Sequence, residues 1–281
     1  MIEENPNSKP KPERYFLNNS RNLQFNNLVV KIGGNILGSG DTTFHDLVDL
    51  QKQGMNPVVV HGGGKLIDKW LGQLGVMPKF VDGLRVTDFD TLQVVIAVLS
   101  GVVNTSIVSS INQLGGNALG VSGVDSNIIV GEIDRPQLGL VAGKVVVDTS
   151  MLKTLIDSGI IPVIAPIAAN LNSQNKPYLN ANADTVAGAV AVAMESQKLI
   201  FMTDVEGVYD SSRELIKKIT HRQLNKLIAS NVIHGGMIPK LNACLEAVGN
   251  LCTAHIIDGR KAHSLKDCLV KVDVGTNIVK K

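Results

Sequence analysis

An α/β fold on a mainly parallel central sheet is what this sequence predicts, and three observations carry the prediction. From residue 28 onward, short β-branched runs alternate with longer helix-like stretches, the rhythm of strand–helix–strand crossovers. Most of those runs are apolar without alternation, as strands covered on both faces must be. Two of them break directly into glycines at their carboxyl ends, the edge of an open parallel sheet where ligands bind.

In chain order the expected strands are LVVKI (28–32), NPVVV (56–60), NALGVS (117–122), GIIPVIA (159–165), KLIFMT (198–203) and AHIID (254–258). Helix-like periodicity fills the stretches between them at about 41–53, 64–75, 88–113, 149–158, 184–195, 220–229 and 237–250. The glycine-rich segment 131–148 and the stretch NSQNKPYL read as hairpins on the rim. Residues 1–27 are polar and carry Pro6, Pro10 and Pro12, so they are expected to form a flexible arm ahead of a single domain spanning 28–281. The polar loop NLNSQNK near residue 170 suggests two lobes, about 28–170 and 171–281, on one continuous sheet.

Composition excludes several classes. With 27 Lys and Arg against 25 Asp and Glu, the formal net charge is +2, and the cations are scattered rather than gathered into a nucleic-acid stripe. The near-apolar run 159–169 is about half the length a bilayer helix needs and contains Pro162 and Pro166, so no membrane span is expected there. No apolar leader of the secretory kind opens the chain. Cys244, Cys252 and Cys268 are odd in number and fit neither a zinc motif nor a disulfide framework. Reduced thiols in a cytoplasmic protein are the expectation.

The chemistry lies in polar islands where the pattern calls for packing. In VVVHGGG a strand runs into Gly62, Gly63 and Gly64 ahead of a helix. Such a junction leaves backbone N–H groups at the positive end of the helix dipole, with no Cβ to hinder an anion. VVKIGGN repeats that grammar, placing Lys31 just before Gly33 and Gly34. Neither segment spells the dinucleotide fingerprint or the Walker loop, and the acid that should follow the former is missing, which disfavours a dehydrogenase. FVDGLRVTD offers Arg85, whose planar fork suits a carboxylate. LNANADTV opens a helix of small residues with Asn180, Asn182 and Asp184; Asn182 or Asp184 is expected as its cap, which leaves Asn180 for a ligand. MTDVEGVYD (202–210) follows a strand, and GGMIPKLNACLEAV puts Lys240 in the first turn of a helix. A cation there opposes the dipole unless an anion is near.

Taken together and in this order, VVKIGGN, VVVHGGG, FVDGLRVTD, NANAD, TDVEGVYD and GGMIPK make the chain, from residue 28 to about 250, resemble the acetylglutamate kinases, the arginine-biosynthesis branch of the amino acid kinase family. DGLRVTD is the string that sets this branch apart from carbamate, uridylate and aspartate kinases. The resemblance implies a three-layer αβα sandwich, an acceptor site in the first lobe, ATP in the second, and phosphorylation of the γ-carboxylate of N-acetyl-L-glutamate. On it, Lys31 and Lys240 neutralise the transferring phosphoryl group and Asp184 orients both. Gly62 and Gly63 donate to the acceptor, Arg85 clamps its α-carboxylate and Asn180 fixes its position. Gly33 and Gly34, the loop Thr203, Asp204, Val205, Glu206, Gly207, Val208 and Tyr209, and Val232, Ile233 and His234 are the implied nucleotide contacts. Mg²⁺ is expected to travel with ATP, and no protein-held metal is expected.

A carboxylate acceptor needs no general base, because its reference pKa of about 4.3 leaves it ionised at neutral pH. His61 is therefore read as stabilising the turn. The implied assembly is a homo-oligomer, dimer or hexamer, with 88–113 as the dimer helix; arginine feedback and a nitrogen-signalling partner are the regulatory expectations left open. Two other readings of the residues stand beside this one: a regulatory binding protein that keeps the scaffold without turnover, and a kinase of a longer acidic amino acid on a carrier protein.

Overall fold

The computed structural model describes residues 27–33, 42–173, 175, 177–230, 233, 236–249, 252–271 and 273–280. Its main sheet collects β1 (Asn27–Ile32), β2 (Asn56–His61), β5 (Ala118–Ser122), β9 (Ile161–Ala165), β12 (Lys198–Thr203), β13 (Lys218–Thr220), β14 (Thr253–Asp258) and β15 (Thr276–Val279) in the order β13-β15-β14-β12-β1-β2-β9-β5. All neighbours are parallel except β14 and β15. β1 and β12 pair from Leu28 opposite Lys198 to Ile32 opposite Met202. Every strand from the first 170 residues lies to one side of that seam and every strand from the remainder to the other.

Alternate side chains of each strand enter different cores, which is what makes three layers. Leu28, Val30, Ile200 and Met202 pack beneath α1 (Thr43–Lys52), α2 (Gly64–Gln73), the long helix described below and α9 (Ser264–Val270). Val29, Leu199 and Phe201 pack on the opposite face with α5 (Ser150–Asp157), α6 (Ala183–Ala193), α7 (His221–Ala229) and α8 (Met237–Gly249). Period-two alternation of buried residues on both faces explains why these strands read as unbroken apolar runs.

All six expected strands are present within two residues of their predicted limits, and each expected helix has a counterpart. The 88–113 stretch is continuous, but consists of α3 (Phe89–Ile96), a π-helical segment (Ala97–Val103) and α4 (Asn104–Gln113). By length and composition alone this helix could cross a bilayer, yet 44% of its most apolar window is buried inside the protein, with Leu92, Val95, Val98, Ile107 and Ile111 in the core.

The rim segments form a second sheet of β6 (Ile129–Glu132), β7 (Val141–Ala142), β8 (Lys144–Val147), β10 (Ile167–Ala169) and β11 (Tyr178–Ala181). β10 and β11 make the expected hairpin, and β6 pairs antiparallel with β8. A two-stranded ribbon, β3 (Phe80–Val81) and β4 (Leu84–Arg85), stands over the glycine loop. β13, β15 and α9 have no counterpart in the sequence expectation, and the N-terminal arm lies outside the described residues apart from Asn27.

Candidate active site

The centre is a carboxylate held between two ammonium groups. Lys31 leaves the carboxyl end of β1, Asp184 stands in the first turn of α6, and Lys240 stands in the first turn of α8. Lys31 Nζ lies 2.8 Å and Lys240 Nζ 3.0 Å from the same oxygen, Asp184 Oδ1. Each of the three residues is less than a tenth exposed. Asp184 is free for this task because Asn182 is the cap: its Oδ1 accepts from Asp184 N at 2.9 Å and from Thr185 N at 3.0 Å. Lys240 comes within reach because α6 and α8 pack backbone to backbone. A Cβ built on Gly188, one turn after Asp184, would meet Ala243 Cβ at 3.0 Å and its Cα at 3.2 Å. The anion that a first-turn lysine requires is thus an internal one.

Electrostatics follow from this packing. Burial alone would raise the Asp184 carboxyl, but the two ammonium groups outweigh it and hold the group below its usual range. Burial, with the Lys31 charge, lowers Lys240 despite Asp184. Its ammonium also sits over the face of Phe201, 4.8 Å from the ring centroid, where the ring quadrupole replaces part of the lost hydration. Two positive charges against one negative leave the cluster cationic.

Beside it lies a cavity of about 220 Å³, lined by Lys31 and Asp184, by the glycine loop, and by Arg85 and Asn180. Of the two glycine amides expected as donors, Gly62 N–H is already committed to Ile32 O at 3.0 Å, so the expectation narrows to Gly63. The Gly63 and Gly64 amides have no acceptor among the described residues, while Gly63 O accepts from Leu66 and Ile67 as α2 begins. A side chain at Gly63 would strike the long helix, with Cβ 2.6 Å from Leu99 Cδ2.

Arg85, 8% exposed, stacks over Phe80 at 4.8 Å and donates to Gly64 O at 3.4 Å. Its Nη1 lies 2.7 Å from Asp68 Oδ1, close enough for an ion pair but misaligned for a hydrogen bond, so both atoms stay buried without a hydrogen-bond partner. Asn180, expected to be free for a ligand, is engaged through one N–H: its Nδ2 donates to Thr87 Oγ1 at 3.1 Å, and that hydroxyl donates to Arg85 O at 3.1 Å. The ribbon carrying Arg85 is thereby tied to β11.

His61 is buried at the end of β2, and burial holds its ring down to about 4, hence neutral. Nδ1 is 3.1 Å from Gly62 O and Nε2 is 3.1 Å from Asn104 Nδ2.

The 203–209 segment follows β12 but does not line this cavity. Thr203 Oγ1 donates to Val205 O at 2.8 Å, Val208 N donates to Thr276 Oγ1 at 2.8 Å, Tyr209 reaches Glu206 at 3.5 Å, and Glu206 pairs with Lys261. Asp204 is exposed, whereas the side chains of Val208 and Ile233 are buried in the core; Gly207 packs against Thr276. Gly33 N donates to Met202 O at 3.2 Å, across the seam. Gly34, Val232 and His234 lie outside the described residues. Among the described residues no group of three or more His, Cys, Asp or Glu side chains could hold a metal, and the cavity's carboxylate is taken by two lysines. Thr87, Asn104 and Phe201 were not anticipated; Thr87 stands inside FVDGLRVTD, and Asn104 was visible only as an amide in an apolar helix.

The profile of the amino acid kinase family matches residues 26–258. An acetylglutamate kinase of Cereibacter sphaeroides is 43% identical over 249 residues, covering 87% of this chain and 83% of the relative. The enzyme of the same name from Dehalococcoides mccartyi is 40% identical over 254 residues, 89% of this chain and 93% of its own. Among solved structures, a Streptococcus mutans protein is similar with a TM-score of 0.80 at 27% identity, covering 91% of this chain and 99% of that one. Carbamate kinase from Giardia lamblia, at 16% identity and a TM-score of 0.63 over 92% of this chain and 99% of its own, shares the fold.

Proposed function

The chain belongs to the amino acid kinase family, grouping there with the acetylglutamate kinases of arginine biosynthesis, and from that premise we propose how its site transfers a phosphoryl group to the γ-carboxylate of N-acetyl-L-glutamate. It is a kinase, with ATP as the donor. The acceptor is bound in this cavity, its α-carboxylate on Arg85, its amide region at Asn180, and its reacting carboxylate toward Gly63 and Lys31. Nucleotide phosphates approach from Gly33 and Lys240, and the 203–209 segment borders the adenosine.

The reacting carboxylate is ionised at neutral pH, so no proton has to move before attack. One of its oxygens bonds to the γ-phosphorus while the bond to the β–γ bridging oxygen breaks, and ADP leaves with that electron pair. The obstacle is repulsion between two anions. At about 4 Å and an effective dielectric of about 20, one pair of unit charges repels by about 4 kcal/mol. Ammonium groups already fixed beside the cavity offset this without reorganising, the form of catalysis that dominates phosphoryl transfer. Among the described residues no protein site for Mg²⁺ is built; an ion would arrive on the nucleotide's phosphates, and none of these steps is routed through it.

The single observation that supports this reading most is the shared Asp184 oxygen: it parks both lysines where a phosphoryl group can take one ammonium from each half of the chain. Hydroxylamine trapping of an acyl phosphate formed from ATP and N-acetyl-L-glutamate tests it. Absence of the hydroxamate with intact ATP binding would favour a regulatory binding protein. We further propose a cytoplasmic homo-oligomer joined through 89–113, where Phe89 and Val102 are exposed; light scattering with and without arginine tests both the assembly and an arginine response.

A further inference from the structure

His61 is a buried titratable group that the phosphoryl transfer leaves unused, and its hydrogen bonds admit only one placement of its proton. The Gly62 carbonyl at 3.1 Å can only accept, so Nδ1 must carry the hydrogen. Nε2 is then a lone pair and accepts from Asn104 Nδ2 at 3.1 Å. The second hydrogen of that amide goes to Val163 O at 2.8 Å. Donors and acceptors match at each step, with the ring neutral. The path exists because Gly120 has no side chain: a Cβ there would lie 1.9 Å from Asn104 Oδ1.

The consequence falls on the next peptide. Its carbonyl is drawn inward toward His61, and a trans peptide points its N–H the opposite way. That N–H belongs to Gly63, which lines the cavity with Lys31 and Asp184 and has no acceptor among the described residues. We propose that His61 is a positioning residue, whose Nδ1–H holds the Gly62 carbonyl and so aims the Gly63 N–H at the anion bound in the cavity. The role in turnover rests on the kinase reading above, whereas the orientation does not.

Two experiments separate these. Long-range ¹⁵N–¹H imidazole spectra of the unliganded protein should show His61 protonated on Nδ1 with a pyridine-like Nε2; protonation on Nε2 overturns the proposal whatever the activity. In turnover, His61→Asn places its amide nitrogen where Nδ1 stood and should keep kcat within about fivefold. His61→Gln carries its nitrogen farther out and should lower kcat by about 100-fold, the scale of a misaimed catalytic contact, with KM for ATP unchanged. Equal kcat in two variants of equal Tm also overturns it. Failure of the wild-type protein to form hydroxamate would sink the kinase reading and leave the tautomer result standing.

Discussion

The two sides of the β1–β12 seam prepare for an anion differently. On the proposed acceptor side, Lys31, Arg85 and the Gly63 amide are buried or enclosed around a formed cavity, and each is held by a neighbour outside the proposed substrate contacts: Asp184, Asp68 and His61. On the proposed nucleotide side, the 203–209 segment is held by its own turn, Thr203 to Val205, and by Thr276 and Lys261, with the Glu206–Lys261 pair near the surface. Charge chemistry needs desolvated groups whose orientation is settled before substrate arrives, and those come with partners. Recognition of a large, partly exposed nucleotide can rest on a surface segment's own turns. Asp184 also takes Lys240 from the second half, so the two halves cross at that one oxygen.

Breaking that crossing should have the largest effect. Lys31→Ala or Lys240→Ala removes one of the two charges facing the phosphoryl group and should lower kcat about 1,000-fold, measured by hydroxamate formation. Stability should change far less, because Asp184 keeps its other lysine. Asp184→Ala should lose both activity and about 3–5 kcal/mol of stability, since it leaves two buried ammonium groups unpaired. Near-normal turnover in Lys31→Ala would show that the cluster is merely structural.

Arg85→Ala sharpens the acceptor side. Loss of a charged hydrogen bond to the substrate carboxylate should raise KM for N-acetyl-L-glutamate by about 10- to 100-fold and leave kcat and KM for ATP nearly unchanged. A fall in kcat without a change in KM would place Arg85 at the reacting atoms instead.

These contrasts also explain what could be read in the sequence. The six central strands were legible because burial on both faces forces apolar residues at every position, as in Val58 to Val60. β13 and β15 were not: Lys218 is exposed and Asn277 half-buried, so neither segment has the apolar run of a central strand. α9 spans only seven residues, too short for a helical period to stand out. In the site, Lys31, Arg85 and Lys240 were visible as charges where packing was expected. Apart from Asp184, which the family resemblance supplied, their partners were not, because a residue that positions another makes no local conflict: Phe201 looks like any core aromatic, Thr87 like a turn residue, and Asp68 like a solvated helix acid. The Gly188–Ala243 contact that delivers Lys240 joins two small residues 55 positions apart, and no local pattern announces it.

Among the described residues each side also buries one neutral histidine, His61 in β2 and His255 in β14, and burial lowers both to about 4. An unfolded histidine takes up its proton near pH 6.5, so between about 6.5 and 4 the unfolded chain binds more protons than the folded one. Stability should therefore be full above pH 6.5 and fall as the pH drops toward 4, by about 2 kcal/mol per histidine at pH 5. Urea midpoints at pH 7.5 and 5 measure the sum, and His255→Gln should recover about half of the loss. An unchanged pH response in that variant would mean that His255 titrates normally in the fold.

The smallest effect is expected where the nucleotide side holds itself together. Lys261 and Glu206 are well exposed, and their ion pair stands in water, where such pairs contribute little. The hydrogen bond and charge of the Lys261 ammonium lower the Glu206 carboxyl. Lys261→Ala should accordingly raise KM for ATP by no more than about threefold and leave the acceptor KM and kcat untouched. A tenfold rise would mean that this pair is not an incidental surface contact but fixes the 203–209 segment for the nucleotide, and the two sides of the seam would then be preorganised alike.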